Sequence, residues 1–420
     1  MSRRTVGQGP AAPDVSDKTS EIVQPIAGVR LGTVAAGVRK PDRDDLVLVE
    51  LAAGTRCAAV FTRNAFCAAP VAVARESLAA CDGLARYLLI NTGNANAGTG
   101  ARGIADARSC SETVAKASGV DVSTVLPFST GVIGEHLPVS VITQAIPAAR
   151  AALSAEGWEA AARGIMTTDT RPKLFSASVT CEGHTFNVTG MAKGSGMLRP
   201  DMATMLAYIA TDAAVTRPLL QQLLQQAVDA SFHRISVDGD TSTNDACVLV
   251  ATGAAGNPVL DSLDCPQAQV LAGAVHDVCV SLAQGLVRDG EGASKFVSVK
   301  VREGGSSQEC LDVAFIIAHS PLVKTALFAS DPNWGRLLAA IGRAGLPALD
   351  VSAVSLRLNG VLIAENGCRA ASYTEEQGAT AMAAGDIAID IALARGQAVE
   401  TVWTSDFSYE YVRINAEYRT

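Results

Sequence analysis

Lys193-Gly194-Ser195-Gly196-Met197-Leu198-Arg199-Pro200-Asp201-Met202-Ala203-Thr204-Met205-Leu206-Ala207-Tyr208-Ile209 is the stretch that decides how this chain folds. Its glycines permit backbone angles closed to other residues, and Pro200 stiffens the approach to the threonine. Residues 205–209 are short, apolar and bounded by turn signals, the pattern of a buried strand. Thr204 therefore stands at a loop-to-strand junction near the middle of the chain. Taken alone, the favoured account is plain: a loop, then a core strand with a polar residue at its mouth.

The chain has 420 residues, enough for two domains or one large two-lobed one. Hydrophobic residues make up 48% and charged residues 18%, a globular profile with ample core. A formal net charge of −8 argues against a nucleic-acid partner and suits a protein that handles small polar molecules. The ten cysteines include no C-x-x-C pair and the five histidines are scattered, so neither a metal site nor a disulfide framework is expected. Reduced, mostly buried thiols fit a cytoplasmic enzyme. No apolar run reads as long enough to span a bilayer, and no membrane partner is expected. Residues 1–27 read as a flexible tail: the start carries Arg3, Arg4, Asp14 and Asp17 but no apolar signal core.

Working outward from the central stretch, valine-rich strand patterns occupy 28–38, 45–51 and 59–62, with a buried strand at 88–90. The Asn/Gly-dense run 91–98 predicts a tight turn after that strand. A helix is expected over 105–118, closed by Gly119, and a strand end with a hydroxyl-bearing turn over 125–134. Residues 139–163 read as one long alanine-rich helical region, and 175–180 and 185–189 as strands. Thr216 and Pro218 open a helix whose stripe of Leu219, Leu220, Leu223, Leu224, Ala227 and Val228 faces the core. The run 232–245 holds several aspartates, yet it lacks the calcium-loop pattern, so polar loop packing is favoured over a metal. A helix over 271–287, a strand over 296–302, a helix start at 331–336 and strands at 354–358, 387–393 and 409–414 complete an α/β class of layered sheets and helices.

A threonine hydroxyl is a poor nucleophile until a base takes its proton. One solution places the threonine at a new N-terminus, where its own amine, with a pKa of ~7.7–8.0, serves as the base. An internal threonine must first be released, by attack of its hydroxyl on the preceding carbonyl and hydrolysis of the resulting ester. Ala203 offers little obstruction ahead of such a bond, and Gly194 and Gly196 permit an unusual approach. The turn in 125–134, with Ser129, Thr130 and Gly131, can aim a hydroxyl and a backbone N–H at one spot, as an oxyanion hole requires, but a helix N-cap or plain turn is the favoured account of the residues alone.

The segments 193–211, 231–245, 331–345 and 411–420 closely resemble the ornithine acetyltransferase (glutamate N-acetyltransferase) family of arginine biosynthesis. The similarity runs from about residue 28 to the last residue, with four motifs in the family's order. The resemblance implies self-cleavage between Ala203 and Thr204 into an alpha chain, whose ordered part is 28–203, and a beta chain, 204–420. Two of each would assemble into a heterotetramer. It implies acetyl transfer from N2-acetylornithine to glutamate through acetyl-Thr204, with Thr130 and Gly131 as the oxyanion hole. Thr167, Lys193, Thr204, Glu291, Asn415 and Thr420 would bind substrate. No cofactor and no metal are implied, and use of acetyl-CoA as a second donor, which would make the enzyme bifunctional, is left open. Arg199-Pro200-Asp201 departs from the Pro-Asn common in relatives, while the Ala-Thr junction is intact.

Three other readings compete. A self-processed threonine amidohydrolase or aminopeptidase would use the same nucleophile with water as acceptor. A phosphate-binding protein would cradle an anion on 190–196, but the G-x-x-x-x-G-K-[ST] order is missing. A non-enzymatic binding module would stay in one piece.

Overall fold

The computed structural model describes residues 23–199 and 205–417. Thr204, Ala203 and Thr420, with most of the expected tail, lie outside the described residues. The tail expectation extends too far, because its last residues are held in place. Gln24 N donates to Ser176 Oγ over 3.0 Å, Ile26 is buried, and the Ala27 carbonyl accepts from Thr252 Oγ1 over 2.7 Å.

A four-stranded sheet is ordered Val29–Val34, Leu46–Leu51, Tyr87–Asn94, Val125–Val132, with only its last pair parallel. A five-stranded sheet is ordered Arg56–Phe61, Ala246–Ala251, Leu206–Thr211, His184–Lys193, Lys173–Cys181. The two sheets pack face to face, and strand alternation shows why. In the first sheet Val47 and Val49 point to the shared core while Leu46 and Leu48 point outward, under helices Gly100–Ser118 and Val139–Ala151. In the second sheet Leu206, Tyr208 and Ala210 meet that shared core. Ala207 and Ile209 pack under helices Arg217–Ala230 and Pro266–Arg288. All six residues of the apolar stripe on Arg217–Ala230 are buried. The result is helix, sheet, sheet, helix.

A seven-stranded sheet forms the second lobe, with Val297, Val299 and Val301 at its heart under helices Ser307–Ala318, Pro321–Phe328 and Trp334–Gly342. Helix Pro266–Arg288 corrects the expectation that no run reaches membrane-spanning length: its mean hydropathy is 1.6 over such a window. It packs against strands Lys173–Cys181 and His184–Lys193, so its apolar length belongs to the core.

Three further expectations are corrected. The helical region 139–163 is two helices, Val139–Ala151 and Trp158–Gly164. Between them Ser154 exchanges backbone hydrogen bonds with Leu31 over 2.9 and 3.1 Å, covering an exposed sheet edge. Residues 91–94 continue the strand instead of turning, because Val125–Val132 pairs alongside them up to a bulge at Gly93/Asn94. Residues 409–414 lie in a helix, Tyr409–Ala416, where local contacts outweigh the strand-like alternation. Ser408 caps it, Glu410 pairs with Arg413, and Asn415 Nδ2 donates to Tyr411 O over 2.9 Å.

Candidate active site

Register brings the site together. Lys193 pairs with Leu206, and Leu206 pairs with Ala246, so the last residue of one strand and the residues entering two others share one end of the five-stranded sheet. Thr130 and Gly131 end the neighbouring strand of the facing sheet. Between the sheets, at this end, lies a cavity of about 240 Å³, the scale of a small molecule. Thr130, Gly131, Thr167, Lys193, Glu291 and Asn415 all line it. The structure thus gathers the described residues that the family resemblance assigned to the site, and Met205 is also at its wall.

Lys193 is 9% exposed and forms no ion pair among the described residues; its Nζ donates to Thr130 Oγ1 over 3.2 Å and to Thr167 Oγ1 over 2.8 Å. An ammonium can only donate, so both hydroxyls spend a lone pair on it and keep their own O–H for another acceptor. Burial pushes the Lys193 ammonium below its ordinary value, opposed chiefly by the charge of Asp169. Asp169 itself accepts from the amides of Thr167 and Gly194 over 2.9 and 2.8 Å and pairs with Lys173. Burial alone would raise that carboxyl, but Lys193, Lys173 and the Gly194 amide win and hold it at about 2. Lys173 also pairs with Asp289, which accepts from Thr170 N over 3.0 Å. This buried knot fixes the loop carrying Thr167.

Two glycines are required by close approach. At Gly131, with φ +135°, a side chain would collide with the backbone of Gly93 and Asn94. A Cβ on Gly196 would enter the Glu291 carboxylate. Glu291 N donates to Ser195 O over 2.8 Å, while the carboxylate accepts from Asn415 Nδ2 over 2.7 Å. The C-terminal helix is thereby drawn over the cavity.

Some residues at the site were not recognised in the sequence. Asn244 Nδ2 reaches across to the carbonyls of Ala95 and Ser129 over 2.6 and 2.9 Å, stitching the second half of the chain to the first sheet. Asp238 accepts from the amides of Met197 and Leu198 over 2.6 and 2.8 Å. Asp245 lines the cavity. Their only signal in the sequence is a polar run placed directly before the apolar strand Ala246–Ala251, a pattern that reads as loop packing. A second chamber shares Gly131, Val132, Thr167 and Thr168 with the first and carries Arg39, Lys40 and Arg43.

Paired sheets sheathed by helices, with a buried hydroxyl-rich cavity at the strand ends, define a layered α/β enzyme acting on small molecules. The chain belongs to the ArgJ family, whose model matches residues 30–420. It is 56% identical over 398 residues to the arginine biosynthesis bifunctional protein ArgJ of Pseudomonas syringae pv. tomato, covering 95% of this chain and 98% of that one. The namesake from Methylococcus capsulatus is 53% identical, covering 98% of this chain and 100% of its own. Among solved structures, an arginine biosynthesis bifunctional protein ArgJ from Bacillus halodurans matches at 35% identity and TM-score 0.47, covering 49% of this chain and 95% of that one. An ornithine acetyltransferase from Mycobacterium tuberculosis, complexed with ornithine, matches at 36% identity and TM-score 0.39, covering 42% and 93%.

Proposed function

We propose that this chain is an acetyltransferase of arginine biosynthesis that moves the acetyl group of N2-acetylornithine to L-glutamate. In this reading Thr204, freed by self-cleavage after Ala203, attacks the acetyl carbonyl with its own amine as base. The observation that carries the reading is the Lys193 arrangement: one buried ammonium turns the Thr130 and Thr167 hydroxyls into donors at a cavity that Met205 also lines. With Gly131, the Thr130 hydroxyl supplies an oxyanion hole for the tetrahedral intermediate. Glu291, whose carboxylate accepts from Asn415 Nδ2, attracts the distal ammonium of ornithine in this reading, and Thr420 is a further substrate-binding residue by the family resemblance.

The cleaved halves, 1–203 and 204–420, stay together and pair as two alpha and two beta chains in the cytoplasm. No cofactor or metal takes part. Acetyl-CoA serves as a second donor, its phosphates facing Arg39, Lys40 and Arg43 in the adjoining chamber. The competing reading is an amidohydrolase with water as acceptor. Incubation with N2-acetylornithine, with and without glutamate, tests the proposal: ornithine release that depends on glutamate supports transfer, and equal release without it supports hydrolysis.

A further inference from the structure

The reaction proposed above asks one enzyme to handle two amino acids whose side chains carry opposite charge. Ornithine ends in an ammonium and glutamate in a carboxylate. Glu291, at the wall of the first cavity, suits the former and repels the latter. The adjoining chamber, of about 260 Å³, has the other character: Arg39, Lys40 and Arg43 line it against Asp45 and Glu417. Asp45 is committed to the backbone. It accepts from the amides of Ala36 and Val38 over 2.7 and 2.6 Å, and so shapes the loop that carries the cations. Arg43 is tied to the wall between the chambers. Its Nη1 donates to Thr167 O over 3.3 Å and its Nη2 to Met166 O over 2.7 Å, and it forms no ion pair among the described residues. A guanidinium held by neutral carbonyls keeps its charge and further N–H groups for a carboxylate. The hydroxyl of the same Thr167 accepts from Lys193 in the first cavity. One threonine is thus gripped by a cation from each chamber, and Gly131 and Thr167 line both. A substrate whose amine is held at Gly131 can send its side chain either way.

We propose that the second chamber is the acceptor subsite, in which Arg43 and Lys40 bind the side-chain carboxylate of glutamate. The inference rests on the acetyl transfer proposed above. Both amino acids present their amine at Thr130 and Gly131, and their side chains part at Thr167: the ammonium of ornithine toward Glu291, the carboxylate of glutamate toward Arg43. The acetyl group waits on the enzyme between the two halves of the reaction. Glutamate therefore enters after the first product has left, and the cations given above to the phosphates of acetyl-CoA serve it in turn.

The test separates the two half-reactions. Exchange of label between ornithine and N2-acetylornithine, run without glutamate, reports the donor half alone. Arg43→Gln and Lys40→Gln should each raise KM for glutamate at least about tenfold, and should cut the preference for glutamate over glutamine as acceptor by a similar factor. The exchange rate should fall by less than about threefold. Arg43→Lys, which keeps the charge, should favour glutamate over glutamine more than Arg43→Gln does. Lys40→Gln leaves the Arg43 hydrogen bonds to the wall in place, so its effect is free of any shift in Thr167. If Arg43→Gln lowers exchange and glutamate use equally while Lys40→Gln changes neither, Arg43 acts only by holding Thr167, and the subsite is overturned. A preference for glutamate over glutamine that is unchanged in both variants overturns it as well. If the unaltered protein releases ornithine as fast without glutamate as with it, the transfer reading itself is lost.

Discussion

The Nζ of Lys193 lies 2.8 Å from the Thr167 hydroxyl oxygen, at the end of a strand that pairs directly with Leu206. The same ammonium contacts Thr130, 63 residues away in sequence. Lys193→Met removes the donor while keeping much of the buried length. Thr130 and Thr167 can then donate to one another or elsewhere, and the preference for a developing oxyanion is lost. The expected outcome is a drop in kcat of about 10²–10³-fold. Thermal stability should change little, because the relief from burying an ammonium is offset by losing the charge that helps hold the Asp169 carboxylate. Steady-state kinetics with a parallel melting curve check it, and unchanged kcat would remove Lys193 from the oxyanion assignment.

Gly196 and Glu291 give a steric prediction. Alanine at 196 drives the Glu291 carboxylate away from Asn415, since the added carbon would occupy its place. The expected result is a raised KM for N2-acetylornithine with a smaller effect on kcat, together with a stability loss of about 1–3 kcal/mol from overpacking. Glu291→Gln should raise the same KM without the stability loss. If the two variants leave KM untouched, the ornithine ammonium is held elsewhere.

The alternation of residues 46–49 and the leucine stripe of helix Arg217–Ala230 were legible because burial follows the local period of the chain. The gap between Ala151 and Trp158 was not, because it depends on Ser154 docking onto Leu31, a partner more than a hundred residues earlier. Residues 91–94 misled for a similar reason: Asn and Gly favour turns locally, but a parallel neighbour recruits their backbone. The segment 409–414 alternates like a strand, and its helix is decided by a cap and short-range side-chain pairs. At the site, Thr130, Lys193 and Glu291 came from the family resemblance. Asp245 stayed hidden, since nothing in a run of polar residues says which carboxyl will be buried beside Met205.

Acid should loosen the knot under Thr167. Asp169 in the fold titrates at about 2, below its value of ~3.9 in an unfolded chain. A carboxyl depressed in this way stabilises the fold fully above the unfolded value, and the gain is lost as pH falls through the folded one. Between about pH 4 and 2 the protein should therefore lose on the order of 2–3 kcal/mol from this group alone. Lys173→Ala leaves Asp169 and Asp289 buried without their shared cation, and should cost about 3–5 kcal/mol at neutral pH. Urea unfolding across that pH range measures both. An acid limb that is identical in Asp169→Asn and the unaltered chain would show that the loss comes from elsewhere.

The last prediction concerns the two halves after the proposed cut. Residues before 203 supply strands Arg56–Phe61, His184–Lys193 and Lys173–Cys181 of the five-stranded sheet, and residues after 204 supply Ala246–Ala251 and Leu206–Thr211 between them. Separating the halves would break two strand ladders and expose Leu206, Tyr208 and Val248, which pack in the core shared with Leu88 and Phe128. That apolar surface outweighs the single peptide bond as a source of cohesion. Cleaved protein should therefore elute as one species in gel filtration and unfold in urea in a single transition. Its midpoint should lie close to that of uncut Thr204→Ala. Two bands should appear only on denaturing gels. Release of either half at a urea concentration where the circular dichroism is still native would show that the ladders do not hold the pieces together.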